Sequence, residues 1–492
     1  MTRYSICDTE FASNDLLFQA ALEAAYKSHV RPLCLCCEPG LPMYIAHLEK
    51  AYVIKRMPDS GASHGPGCES YEAPPGLSGR GEVDGQAIEH DDEGTVNLKF
   101  AFSLRHNSPA EMDNEAIGKV TASSSGTRLT LRALLHYLWD EAKLSHWHPG
   151  VNDQRTWLSV RQSLLDAAVS KETKSSPLAD ILYIPEMYDE DSKHDIMNRR
   201  TQSLAPIMGP GKSGKKLMLL VGEVDSIGEA TFGYALKAKN LPDFPLVMTS
   251  DLHKSFEKVF KSTVTLGGYV PNAHSIVIAT FVIDLNGIPA VQEMCIMLTS
   301  PEWIPIENSF DGQLVEMLVE QKRSFQKQLR YNLPTEKPIA SVVLTDSYNA
   351  PLAMYIDVKD LVSKWATTVA LNELISSSAV NTWIWVPSTG TQPTLPLKSF
   401  AAPATAQPGD KRPAAPPAAA PAAPPAAVTV AARPPEEIVP RVFQPKRRGN
   451  VTPIKECAVM PLPIKSPQAP VTPISDQSRN LIPFKEGWGP GQ

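Results

Sequence analysis

Four of the chain's seven cysteines fall between residues 34 and 68. They sit in Cys34-Leu-Cys36-Cys37 and, after a short β-like stretch, in His64-Gly-Pro-Gly-Cys68. Zinc prefers thiolate and imidazole, four ligands in a tetrahedron. Cys34, Cys36, His64 and Cys68 supply one such set, with Cys37 either spare or replacing Cys36. Gly65-Pro66-Gly67 makes a tight turn, free of bulky side chains, around the second pair. Four protein ligands leave no open position, so the expected role is structural zinc rather than catalysis. Other readings compete. The usual zinc knuckle places two residues between its cysteines, and here one separates Cys34 from Cys36. Cysteines also serve as small buried hydrophobes or as vicinal redox thiols, and His64 as a plain loop histidine.

A shared metal needs the two ends of this segment brought together. Residues 42–47 and 52–56 read as strands joined by 48–51, a hairpin that returns the chain on itself. Ahead of it, residues 14–28 read as a helix capped by Ser13 or Asn14, with Leu16, Leu17, Ala20, Ala21 and Ala24 as its apolar stripe.

Composition limits the rest. An odd number of clustered cysteines suits a reduced compartment better than a secreted disulfide framework. Neither a signal-peptide pattern nor an apolar run long enough to span a bilayer stands out, so the expectation is a cytoplasmic chain without a membrane partner. Residues 401–492 hold 11 Lys and Arg against 6 Asp and Glu, whereas the whole chain carries a net charge of −6. The first 400 residues are therefore acidic overall, which argues against wholesale coating of nucleic acid.

Residues 95–105 read as a strand, and 131–143 and 154–169 as two amphipathic helices. Such a pair resembles a helix-turn-helix, in which Arg155, Arg161 and Lys171 are candidate phosphate contacts. An ordinary core pair is the plainer reading. Residues 171–216 are polar and irregular. Beyond them the pattern turns α/β, with strands at 217–221, 232–239, 275–285, 291–298, 339–344 and 352–357. Helices are expected at 251–260, 311–330 and 358–374. After about residue 388 the composition breaks, and residues 401–492 hold 20 of the 45 prolines. That segment buries too little apolar surface to offset its ordering entropy.

Three other signals are weaker. Gly209-Pro-Gly-Lys-Ser-Gly-Lys215-Lys216 imitates a phosphate-binding loop, but Lys216 stands where a hydroxyl is needed, so no nucleotide is expected. Glu223, Asp225 and Lys237 offer an alternative, a metal-dependent hydrolase or nuclease, without the usual acid-x-Lys spacing. His146 and His148 read as solvent-facing and Cys295 as core.

Residues 31–36, 43–46, 55–58 and 64–71 resemble the opening of a bacterial family of unknown function, domain-of-unknown-function family 1173. So do residues 131–139, 220–224, 241–245 and 329–333. The resemblance spans roughly residues 15–360 and implies three family cysteines at Cys34, Cys36 and Cys68. It also implies an association with mobile elements and brings no activity.

The expected architecture is α+β or α/β. A zinc-stapled module covers 1–90, a helix-containing segment 91–200, a mixed-sheet core 201–388 and a disordered Pro/Ala-rich tail 389–492. The expected function is that of a zinc-binding interaction protein, with nucleic acid or protein as partner and no catalytic set.

Overall fold

The computed structural model describes residues 2–399, except 49–50, 92–94, 107–125, 209–214, 232, 285, 359–365 and 390–392. The Pro/Ala-rich tail from 400 onward, and most of the phosphate-loop imitation, lie outside the described residues. Residues 1–405 form one compact unit. Helices and mixed sheets make it an α+β fold.

The N-terminal sheet has five strands, β1 (Arg3–Ile6), β2 (Thr9–Ala12), β3 (Leu33–Cys34), β4 (Leu41–Leu48) and β5 (Ala51–Arg56). Their order is β2-β1-β3-β4-β5, antiparallel throughout. The helix α1 (Phe18–Lys27) closes its core, with Phe18, Leu22 and Ala25 packed beside Tyr4, Ile6, Cys34 and Met43. The expected stripe on this helix was rotated. Leu16 is 100% exposed and Leu17 69%, because residues 12–17 form turns in which Asp15 accepts the Ala12 N–H, and the helix starts only at Phe18.

The largest sheet is ordered Leu182–Tyr183, Met218–Glu229, Tyr234–Ala238, Leu241–Met248, Pro289–Thr299, His274–Ile283. Met218–Glu229 also pairs with His274–Ile283, so the ladder of five of these strands closes on itself, a device that removes free edges. Leu241–Met248 escaped the sequence reading because of Pro242 and Pro245. Both fall in the irregular gap between the Ala238–Leu241 and Leu236–Leu246 pairs, where no ladder donor is needed.

A second five-stranded sheet runs Asn381–Trp385, Leu352–Ile356, Val342–Leu344, Phe325–Lys327, His146–Trp147. It requires an early end to the helix expected over 311–330. The helix Ser309–Glu320 stops where Lys322 turns left-handed at φ 51°, and Phe325–Lys327 then joins the sheet. His146 belongs to this sheet and is buried, not solvent-facing. Cys295 is core. The helix Lys193–Leu204 lies in the stretch read as irregular, its low apolar content having hidden it. The strand expected over 95–105 shortens to Val96–Leu98.

Between the sheets lies the helix Leu131–Glu141, with nine of its eleven residues buried. A short helix, Arg80–Val83, stands beside it. Gly79, just ahead of Arg80, donates its N–H to the Leu329 carbonyl, and a Cβ there would overlap the Arg330 carbonyl. Gly76 has open space around it. Gly79→Ala is therefore expected to lower stability by about 2 kcal/mol or more, as overpacking against backbone does. Gly76→Ala serves as the near-neutral control, and urea denaturation midpoints of the two variants check the difference.

Candidate metal centre

The sheet and one loop assemble the thiols. Cys34 ends β3, anchored by its pairing to Tyr4 on β1 and to Leu41 on β4. Cys36 and Cys37 follow in a turn that Gly40 closes by donating its N–H to the Cys37 carbonyl at 2.8 Å. Gly40 sits at φ 61°, a conformation that favours glycine. The hairpin β4–β5 then carries the chain back to a second turn, in which the Cys68 N–H donates to the Gly65 carbonyl at 2.8 Å.

The four ligand atoms of Cys34, Cys36, His64 and Cys68 lie within 4.8 Å of one another. Cys34 Sγ and Cys68 Sγ are 3.6 Å apart, Cys36 Sγ and His64 Nδ1 3.3 Å, and Cys68 Sγ and His64 Nδ1 3.8 Å. Bonds of about 2.3 Å to sulfur and about 2.0 Å to nitrogen put tetrahedral edges at roughly 3.5–3.8 Å. Three of the six separations are thus close to tetrahedral edges, and all six lie within 4.8 Å. The set can hold a metal ion. Cys37 is not one of the four, though its thiol lies 3.9 Å from Cys36 Sγ as well as 3.8 Å from the Ser63 carbonyl.

Backbone amides support the sulfurs. The Gly65 N–H points to Cys36 Sγ at 3.5 Å and the Ser70 N–H to Cys68 Sγ at 3.4 Å. The hydrogen bond to Cys68, and then burial, push the Cys34 thiol up and hold its proton, and the same bond draws the Cys68 thiol down to about 5. Cys68 is the first thiolate, and a cation is what would allow its neighbours to ionise with it.

The profile of one protein family, described as proteins of unknown function (DUF1173), matches residues 4–388. The chain belongs to the DUF1173 family. No curated protein and no solved structure matches it. The family therefore supplies membership but no activity.

The other sequence candidates in this DUF1173 chain have different surroundings. Arg155 donates to the carbonyls of Leu144, Lys143, Glu302 and His146. Arg161 Nε donates to the Ile184 carbonyl at 3.0 Å. Lys171 is buried, with its Nζ 2.8 Å from Glu141. A phosphate would have to compete with these internal bonds. The helix Trp157–Ala168 begins with a capping box at Thr156 and Ser159, and it packs on the buried helix Leu131–Glu141 as a core pair does.

Glu223 is buried on the strand Met218–Glu229, but its partners are not Asp225 and Lys237. It accepts from Lys239 Nζ at 2.5 Å and lies 2.7 Å from His274 Nδ1. Asp225 and Lys237 are exposed. His274 stacks on Trp303, with ring centroids 3.7 Å apart. Strand register sets this trio, since the Lys239 N–H donates to the Glu223 carbonyl across the ladder. No local signal in the sequence announces such a register. Burial opposes the charge on Glu223, yet His274 and Lys239 outweigh it and hold the carboxyl below its ordinary range.

A carboxylate held low contributes stability that is present above its ordinary range and lost as pH falls through it. Glu223→Gln is expected to cost about 1.5–3 kcal/mol at neutral pH, the usual worth of a hydrogen bond to a charged group. Urea titrations from about pH 7 down to about pH 3 should show the difference from the parent protein holding to about pH 4.5 and narrowing below it.

Proposed function

We propose that this protein is a non-catalytic interaction protein whose N-terminal sheet is stapled by one structural zinc ion on Cys34, Cys36, His64 and Cys68. The supporting observation is the near-tetrahedral spacing of three sulfurs and one imidazole nitrogen drawn from two separate turns. Three soft thiolates and an imidazole suit zinc and disfavour magnesium or calcium, which seek oxygen. Each of the four positions is a protein ligand, which is the arrangement of structural sites. The small core around Tyr4, Leu22 and Met43 is the part that would gain most from the metal, because binding energy becomes folding energy.

Protein purified without added metal is expected to contain about one zinc per chain by elemental analysis, as a single closed site requires. Cys34→Ser, Cys36→Ser, His64→Ala and Cys68→Ser should each lose it, while Cys37→Ser keeps it. A chelator should lower the melting temperature of the parent and leave the four metal-free variants unchanged. Freshly reduced protein without zinc would remove this reading and turn attention to thiol chemistry.

Nucleic acid as a partner, and a bacterial mobile-element setting, belong to the same proposal. They rest on the family resemblance; the helix pair adds no support, because Arg155, Arg161 and Lys171 are bonded inside the protein. Gel shifts with single-stranded, double-stranded and RNA probes across a salt series test the partner. Binding that weakens as salt rises is the expected result, and no shift with any probe removes nucleic acid from the reading.

A further inference from the structure

A cavity of about 500 Å³ opens between the hairpin β4–β5, the short helix Arg80–Val83, the C-terminal end of Leu131–Glu141 and the helix Trp157–Ala168. Its volume lies within the usual range of small-molecule sites, roughly 300–1,000 Å³. Its lining is unusual in charge. Five cations, Lys55, Arg56, Arg80, Lys143 and Lys171, face three part-buried carboxylates, Glu72, Asp84 and Glu141. The remaining acids of the lining, Asp59, Glu69 and Asp166, are exposed to solvent.

The three inner carboxylates are already neutralised. Arg80 reaches Glu72 and Asp84 at 3.1 Å and Glu141 at 3.2 Å. Lys171 meets Glu141 at 2.8 Å, and Arg56 pairs with Glu72. Among the described residues, Lys55 has no carboxylate partner and Lys143 has only a long one. Lys143 comes no nearer a carboxylate, among the described residues, than 4.0 Å from Glu72, and its side chain keeps 41% of its surface open.

The backbone presents Lys143 at a cost. The helix Leu131–Glu141 ends in a Schellman turn, with the Lys143 N–H on the Asp140 carbonyl and the Leu144 N–H on the Trp139 carbonyl, both 2.9 Å. The left-handed position of that turn usually holds glycine. Here it holds Lys143 at φ 58°, which costs about 1 kcal/mol for a residue with a Cβ.

We propose that this cavity is a binding site for a phosphoryl group, received by the ammonium groups of Lys55 and Lys143, the two least engaged by carboxylates among the described residues, while Arg56, Arg80 and Lys171 stay bound to theirs. The chemistry favours a tetrahedral oxyanion. Planar carboxylates are best matched by the guanidinium fork, and both arginines are occupied, whereas lysine acts on phosphate as a point charge. The group is carried either by a small phosphate ester or by a nucleic-acid end, and both present the same chemistry.

Lys143 supplies a diagnostic. Burial, with Arg56 next, lowers its amine to about 7. Glu141, Arg80 and Asp140 also act on it, Glu72 lies 4.0 Å away, and His146 and His90 are neighbours whose own values are pulled down by burial. An incoming anion favours the ammonium form, so binding takes up a proton near neutrality and weakens as pH rises.

The test uses the full chain and isothermal titration with sulfate, inorganic pyrophosphate, and single strands bearing a 5′-phosphate or a 5′-hydroxyl. Sulfate keeps its charge across the range, so its affinity should fall several-fold between about pH 6 and about pH 8, as one amine titrates. Lys143→Ala and Lys55→Ala should each weaken pyrophosphate about tenfold or more, the worth of one charge-assisted contact. Lys143→Arg should restore most of the affinity, and Lys143→Ala should flatten the sulfate pH profile. Pyrophosphate without the strands identifies a small ester, and preference for the 5′-phosphate strand identifies a nucleic-acid end. Either supports the site. No saturable binding of any probe, or heats that chloride reproduces at equal ionic strength, overturns it. If Lys143→Ala does not fold, Lys55→Ala and the sulfate pH profile of the parent protein decide.

Discussion

The helix Leu131–Glu141 is buried along almost its whole length, and it still carries polar side chains that must find partners away from water. An unsatisfied buried group costs about 1–3 kcal/mol, so most of them dictate what packs against them, the Tyr137 hydroxyl being left without a hydrogen-bond partner among the described residues. His136 is held neutral, its pKa drawn down to about 3 by burial, and Nδ1 accepts the Tyr331 N–H at 2.9 Å. Asp140 accepts from Ser145 Oγ and from the Tyr331 hydroxyl, both at 2.5 Å. Trp139 donates its indole N–H to the Trp303 carbonyl. Asn332 accepts from both the Thr130 amide and its hydroxyl, and Arg132 donates to the carbonyls of Tyr331 and Leu333. The loop around Tyr331 is therefore fastened to this helix by polar bonds as well as by packing. Residues 131–139 and 329–333, both of which carry the family resemblance, meet here in space.

The far end of the same helix leads to the charged cavity. Glu141 holds Arg80 and Lys171, and Arg80 reaches on to Glu72, which also pairs with Arg56 on β5. The N-terminal sheet is thus joined to the core through ion pairs. Buried ion pairs are weak stabilisers, because desolvation offsets much of their attraction, so a charged junction of this size is poorly explained by stability alone. A second, neutral tie lies close by. Gln326 donates to the Tyr71 carbonyl at 2.9 Å and accepts the Ala73 N–H at 2.8 Å. Tyr71 stands three positions after Cys68, so the second ligand turn runs directly into an anchored segment. A metal on the cysteines would then restrain one end of a loop whose other end the core already holds.

Residue types and local spacing carried much of this. The Cys/His cluster was legible because three cysteines and a histidine recur at its two ends, and because alternation across 42–56 marks a hairpin that must return the chain. The apolar periodicity of 131–143 and the strongly β-forming run of 275–285 likewise marked a helix and a strand that form close to those bounds. These signals are local: side-chain chemistry, and repeats of 3.6 or 2 residues.

What the tertiary structure alone decided is who meets whom across long stretches of chain. Ala73 bonds Gln326 across 253 positions, and Glu223 finds His274 across 51. Neither pairing leaves a periodic trace. The same applies to the helix that stops at Glu320, since the second sheet's need for Phe325–Lys327 overrides a helical pattern that continues on paper. It applies most to Lys143. In sequence it is one lysine near a helix end. Only the Schellman turn, the arginines committed to their carboxylates and the open space beside them make it a weakly paired amine facing a cavity.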